Sequence, residues 1–159
     1  MKIIKNYRNI EKSDRGSIIA IGNFDGIHNG HKALINNIIE LSKTMGKKTG
    51  ICTFNPHPKN FFANGQTINQ ITSQELKHEI FKKLGIDILY EIEFNNELSR
   101  MSPDEFFNNI LIGGLGVSHV TVGSDFKFGH KRSGDSSYLK MLCEAGGISF
   151  QSIEKQKDG

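Results

Sequence analysis

The sequence predicts an α/β fold, a parallel sheet with helices on both faces. Two observations lead there. Short apolar runs alternate along the chain with longer segments of helical spacing. The helical segments open on capping signals and close on glycine, so each pair of strands is joined by a crossover helix, which makes the strands parallel.

Residues 17–21 (SIIAI) form a short apolar run bounded by glycine, as a buried strand requires. Residues 31–45 carry Leu34, Ile35, Ile38, Ile39 and Leu41 at helical spacing, with Gly46 as the stop. Residues 49–54 (TGICTF) predict the second strand. Thr72-x-x-Glu75 has the form of a capping box and opens a helix bearing Leu76, Ile80, Phe81 and Leu84, closed by Gly85. Residues 86–94 (IDILYEIEF) predict a third strand. Ser102-Pro103-Asp104-Glu105 is a second helix start, with Ser at the N-cap and Pro at the first helical position. That helix runs through Phe106, Phe107, Ile110 and Leu111 to a stop at Gly113-Gly114. Residues 119–122 predict a fourth strand, 136–144 a helix, and 148–153 a last strand. The arrangement is Rossmann-like, and ligands in such sheets sit outside the carboxyl ends of the strands. The segments after Ile21, Phe54 and Val122 are therefore the places to look.

Length and composition narrow the function. The chain has 159 residues, 36% hydrophobic and 23% charged, an ordinary globular balance for one domain. Lys+Arg 20 against Asp+Glu 17 leaves +3, which suits an anionic small molecule and falls short of a nucleic-acid footprint. No basic stripe with interleaved aromatics appears. Cys52 and Cys143 form neither a disulfide framework nor a zinc set and read as small core residues. The N-terminus lacks a signal-peptide core, and no run approaches the roughly 18 apolar residues of a membrane span. A cytoplasmic protein with no membrane or nucleic-acid partner is the expectation.

The strongest chemical signal is Gly22-Asn23-Phe24-Asp25-Gly26-Ile27-His28-Asn29-Gly30-His31, between the first strand and the first helix. Its glycines let the backbone turn sharply and approach a ligand closely. The helix N-terminus behind it offers free N–H groups and partial positive charge, so it suits a phosphate. His28 and His31 can both point into the space above that helix start and donate to phosphate oxygens as charge moves. A zinc pair lacks a third ligand. The bland alternative is a helix start with two surface histidines.

The connection over residues 55–71 (NPHPKNFFANGQTINQI) is long for a compact domain and holds Pro56, Pro58, Phe61 and Phe62. Residues 123–129 (GSDFKFG) follow the fourth strand and reach the same edge.

GNFDGIHNGH, TFNPHP and VGSDFKFGHKRSGD, in this order, resemble the FMN adenylyltransferase module of bacterial bifunctional riboflavin kinase/FAD synthetases, a branch of the His-x-Gly-His nucleotidyltransferases. Lesser matches lie in ITSQELKHEIFKKLGID and FNNELSRMSPDEFFNNILIGGLGVSHVTVG. The resemblance implies transfer of AMP from ATP to FMN, giving FAD and pyrophosphate, with Mg²⁺. It implies that His28 and His31 hold the ATP phosphates and that Gly22, Asn23, Phe24, Asp25 and Gly30 line the nucleotide side. It places the flavin along Asn55, Pro56, His57, Pro58 and Phe62, and along Asp125, Phe126 and Phe128. Several of these residues have a structural alternative. Asp25 can be a turn-former, His57 can bond only to its own loop, and the phenylalanines can anchor the loop. His130, Lys131 and Arg132 can be plain solvated surface.

The chain departs from the family pattern in two ways. Residues 1–159 hold neither the riboflavin kinase barrel of the bifunctional members nor the family's Ser-Ser-Thr-x-x-Arg element, which is due near Gln156. The expected organisation is thus a single domain over residues 1–159, truncated before that element, binding flavin more readily than it makes FAD. Two rivals remain: another adenylyl- or cytidylyltransferase of the same superfamily, and a non-catalytic flavin- or nucleotide-binding module.

Overall fold

The computed structural model describes residues 1–24, 29–56, 61 and 73–154. A six-stranded, wholly parallel sheet organises them, in the order β1-β4-β3-β2-β5-β8. Its strands are β1 (Lys2–Ile4), β2 (Ile18–Ile21), β3 (Thr49–Asn55), β4 (Ile88–Glu93), β5 (His119–Gly123) and β8 (Ser149–Ile153). A two-residue antiparallel pair, β6 (Lys127–Phe128) with β7 (Gly134–Asp135), stands apart. The helices are α1 (Asn29–Met45), α2 (Gln74–Lys83), α3 (Asn96–Arg100), α4 (Pro103–Glu105, continuing as a π-helix over Phe106–Leu115) and α5 (Ser136–Ala145).

Side-chain alternation on the strands sorts the core into two layers. Ile19 and Ile21 of β2 join Cys52, Tyr90, Ile92, Val120 and Val122 under α4 and α5, against Phe106, Phe107, Ile110, Leu111, Leu139 and Cys143. Ile18 and Ala20 face the other way, with Ile51 and Leu89, onto Leu34, Ile35 and Ile38 of α1 and Phe81 of α2. Helices therefore cover both faces, as the sequence predicts. Both cysteines are free and buried, and burial pushes each thiol up to about 12, so neither is a nucleophile.

Four local expectations are corrected. β1 is absent from the sequence reading because three residues on a sheet edge leave no periodic signal; it pairs with β4 in register Ile3↔Leu89. α3 is also new, capped by Asn95, whose side chain accepts from the Leu98 N–H at 2.9 Å. Helix α2 is capped by Ser73, whose Oγ accepts from the Leu76 N–H, one position after the predicted cap. Thr72 lies outside the described residues. The Ser102 capping box is formed in both directions, but α4 does not stop at Gly113-Gly114. It widens into π geometry and ends at Gly116, which takes the left-handed φ of 62° that glycine tolerates best. Arg15 closes that end, donating to the carbonyls of Ile112, Gly113 and Gly114.

Candidate active site at the carboxyl edge of the sheet

Strand order decides which loops meet. From β2 the chain moves outward through β3 and β4, then returns to place β5 on the other side of β2. The reversal between β2 and β5 opens the crevice where sheets of this kind bind ligands. Gly22–Phe24 leave β2, Asn55-Pro56 leave β3 and Gly123–Phe126 leave β5, so three predicted segments stand on adjacent strands.

The first segment is held tightly. The Gly22 N–H donates to the Cys52 carbonyl at 3.1 Å. A Cβ at Gly22 would lie 3.2 Å from the Phe24 ring, so glycine is what lets that ring fold back. Phe24 has φ 54°, is fully buried, and meets Phe81 edge-on at 5.5 Å. Its ring is thus part of the core between β2, α1 and α2. Gly30 is the second residue of α1 and His31 the third; the half-buried His31 ring lies 5.1 Å from that of Phe24. Asp25 and His28 lie outside the described residues.

In the second segment Asn55 ends β3, and a cis bond joins it to Pro56. The Asn55 amide donates to Glu91 Oε1 at 3.1 Å, and Glu91 Oε2 accepts from His78 Nε2 at 2.7 Å. Glu91 is buried on β4, so its charge is met from both neighbouring elements. His57, Pro58 and Phe62 lie outside the described residues.

The third segment turns immediately, the Phe126 N–H donating to the Gly123 carbonyl at 3.0 Å. Asp125 is exposed and Phe126 half-buried, while Phe128 is buried. The rings of Phe126 and Phe128 stack nearly parallel, 15° apart, with centroids at 5.6 Å. From Phe128 an aromatic row continues through Phe106 and Phe54 to Phe94 and Phe61, each step between 5.2 and 6.2 Å. This row runs from Phe126 and Phe128 of the third segment to Phe61, whose ring packs edge-on against Phe94. His130, Lys131 and Arg132 form an exposed 3-10 turn.

Sequence reading missed His78 and Glu91, and also Lys77, which is buried on α2 and donates to the Asn23 carbonyl at 3.0 Å. Glu91 carried a usable signal: it is a carboxylate inside the apolar run ILYEIE of a strand flanked on both sides. Lys77 and His78 carried none, because a polar pair on a surface helix is ordinary. A cleft of about 370 Å³, lined by Tyr7, Arg8, Glu97, Asn108 and Gly114 among others, includes no predicted site residue. Among the described residues no helix is long and apolar enough to cross a membrane, and no group of three His, Cys, Asp or Glu forms a metal cage.

Fold and crevice define a doubly wound α/β domain with a glycine-rich turn feeding the first helix at the strand-order reversal. Comparison with known proteins narrows this class. The family model described as FAD synthetase matches residues 10–159, and the chain belongs to that family. It is 36% identical over 142 residues to the bifunctional riboflavin kinase/FMN adenylyltransferase of Buchnera aphidicola subsp. Schizaphis graminum, covering 89% of this chain and 46% of that protein. It is 34% identical to the protein of the same name from Listeria monocytogenes, over 92% of this chain and 46% of the relative. For Escherichia coli K12 the identity is 29%, over 100% of this chain and 51% of the relative. The chain thus spans about half the length of the curated relatives it matches. A crystal structure described as a macrolide-efflux protein from Streptococcus pneumoniae superposes with a TM-score of 0.82 at 22% identity, over 99% of this chain and 52% of that one. That likeness supports the fold alone.

Proposed function

We propose that residues 1–159 act as an FMN adenylyltransferase domain, making FAD and pyrophosphate from FMN and ATP in the cytoplasm. The observation that carries this is the family match over residues 10–159, whose three motif segments leave adjacent strands at one edge. A phosphate oxygen of FMN bonds to the α-phosphorus of ATP. The bond from that phosphorus to the bridging oxygen breaks, and its electron pair departs with pyrophosphate. The FMN phosphate is already ionised near neutral pH, so the protein supplies alignment and charge stabilisation rather than a general base. Mg²⁺ enters with ATP as part of the substrate and offsets its charge.

His28 and His31, with the N–H groups at the start of α1, are assigned to the ATP phosphates. Gly22, Asn23 and Asp25 line the nucleotide side, where Phe24 contributes through its backbone. The flat isoalloxazine ring lies along Asn55–Pro58 and Asp125–Phe126, a wall for which the aromatic row provides rigid apolar backing. Phe128 then acts by bracing Phe126.

FAD formation from FMN and MgATP, followed by chromatography, tests the reading. His31→Ala is expected to lower the rate by roughly 100-fold with FMN affinity little changed. Undiminished turnover in that variant overturns the assigned role.

A further inference from the structure

Glu91 is a buried carboxylate that turns a side chain at the exit of β3. It is 5% exposed, inside the apolar run of β4, and burying a carboxylate there is costly unless hydrogen bonds meet it. A valine or leucine would complete the strand without that cost. The bonds that meet it come from His78 Nε2 on α2, at 2.7 Å, and from Asn55 Nδ2 on β3, at 3.1 Å.

The second bond fixes a polarity. A carboxylate only accepts, so the Asn55 amide must offer it the NH2 group. Oδ1 of that amide is left over, and among the described residues it has no hydrogen-bond partner. Asn55 is exposed, so the end of β3 presents a carbonyl oxygen held in one orientation by a buried carboxylate.

Alternation along the strands decides which side this acceptor stands on. Ile51 and Leu89 pack toward α1 and α2, and Asn55 and Glu91 follow them on the same face. Phe54 takes the other face, in the aromatic row with Phe94 and Phe106. The exit of β3 therefore offers an apolar ring on the α4 side and a polar acceptor on the α1 and α2 side. FMN has to span the same two sides. In the adenylyltransferase reading its ring is backed by the aromatic row, and its phosphate meets the ATP phosphates at the start of α1. The ribityl chain lies between them, and its hydroxyls are donors that a fixed acceptor suits.

We propose that Asn55 Oδ1 accepts from a ribityl hydroxyl of FMN, and that Glu91, with His78 behind it, is the positioning residue that keeps this amide oriented. The inference rests on the adenylyltransferase reading and adds to it the part of the flavin that the β3 exit recognises.

The experiment compares two ligands on the full chain: FMN, and a flavin phosphate whose ribityl chain is replaced by an unsubstituted alkyl chain of the same length. Affinities are read by quenching of flavin fluorescence, with urea unfolding in parallel, for the unaltered chain, Asn55→Ala, Glu91→Leu and Glu91→Gln. The readout is the ratio of the two affinities, which a general loosening of the fold leaves unchanged. Asn55→Ala is expected to lower the preference for FMN by about fivefold to tenfold, the worth of one hydrogen bond. Glu91→Leu removes the acceptor that orients the amide and is expected to lower it by about threefold. Should that chain fail to fold, Glu91→Gln, whose amide can face Asn55 with either end, is expected to shift the ratio in the same direction. An unchanged ratio in Asn55→Ala overturns the contact, and an unchanged ratio in the folded Glu91 variants overturns the positioning role, with the functional reading intact in both cases. An unaltered chain that binds neither flavin overturns the functional reading, and this inference with it.

Discussion

Glu91 is where a single substitution should disturb both the fold and the flavin segment. Its carboxylate has 4% side-chain exposure and accepts from His78 at 2.7 Å and from Asn55 at 3.1 Å. Hydrogen bonds to a charged group contribute about 1.5–3 kcal/mol each. Glu91→Ala removes both acceptors, but His78 is 28% exposed at its side chain and Asn55 is exposed, so water replaces part of what is lost. Removal also relieves the desolvation of the carboxylate itself. The net cost is therefore placed at about 2 kcal/mol, below the sum of the two bonds. For a chain of this size that corresponds to a fall of about 4–8 °C in melting temperature. Glu91→Gln keeps an acceptor for one partner and should lose about half as much. Because Asn55 begins the segment assigned to flavin, Glu91→Ala should also weaken FMN binding several-fold, read by quenching of flavin fluorescence. A Glu91→Ala chain with unchanged melting temperature and FMN affinity would show that neither bond matters.

Three further outcomes follow from the geometry. Burial holds His119 down to about 4 against its ordinary 6.5, so the folded chain keeps it neutral while the unfolded chain gains a proton between those values. Stability should be fully present above pH 6.5 and fall by up to about 3 kcal/mol as the pH drops toward 4. Urea titrations of His119→Gln should then show a flatter pH dependence in that window, and an identical slope refutes the assignment. Gly116→Ala forces a Cβ into φ 62° and to 2.7 Å from the Arg15 guanidinium, which should cost about 1–2 kcal/mol by the same titration. Phe24→Ala empties a fully buried ring site and should destabilise by about 3–5 kcal/mol, whereas Phe24→Leu retains most of the stability; comparable melting curves for the two would place the ring outside the core.

The buried polar network around His119 shows what packing adds to sequence. Thr121 gives its only hydroxyl proton to Asn37 Oδ1, so His119 Nε2 must donate to Thr121 Oγ1, and the neutral ring then accepts from Ser149 at Nδ1. Asn37 also donates to Gln151. Residues from β5, α1 and β8 thereby satisfy one another, and no local window of sequence contains more than two of them.

Alternation of apolar runs with capped helices determined the parallel α/β class, because each strand buried on both faces must be uniformly apolar and each covering helix must repeat at 3.6 residues. The glycine-rich turn and the segments after Ile21, Phe54 and Val122 were legible for the same reason: glycine, proline and capping residues act within a few positions of themselves. Strand order was not. Only the folded sheet sets β2 between β3 and β5, and so brings three distant segments to one edge. The core burial of Phe24, the Lys77 contact with Asn23 and the Glu91 bridge between Asn55 and His78 were likewise decided in three dimensions. Each joins residues from different elements, 13 to 54 positions apart for the three hydrogen bonds, and its strength comes from exclusion of water by neighbours that the local sequence does not name.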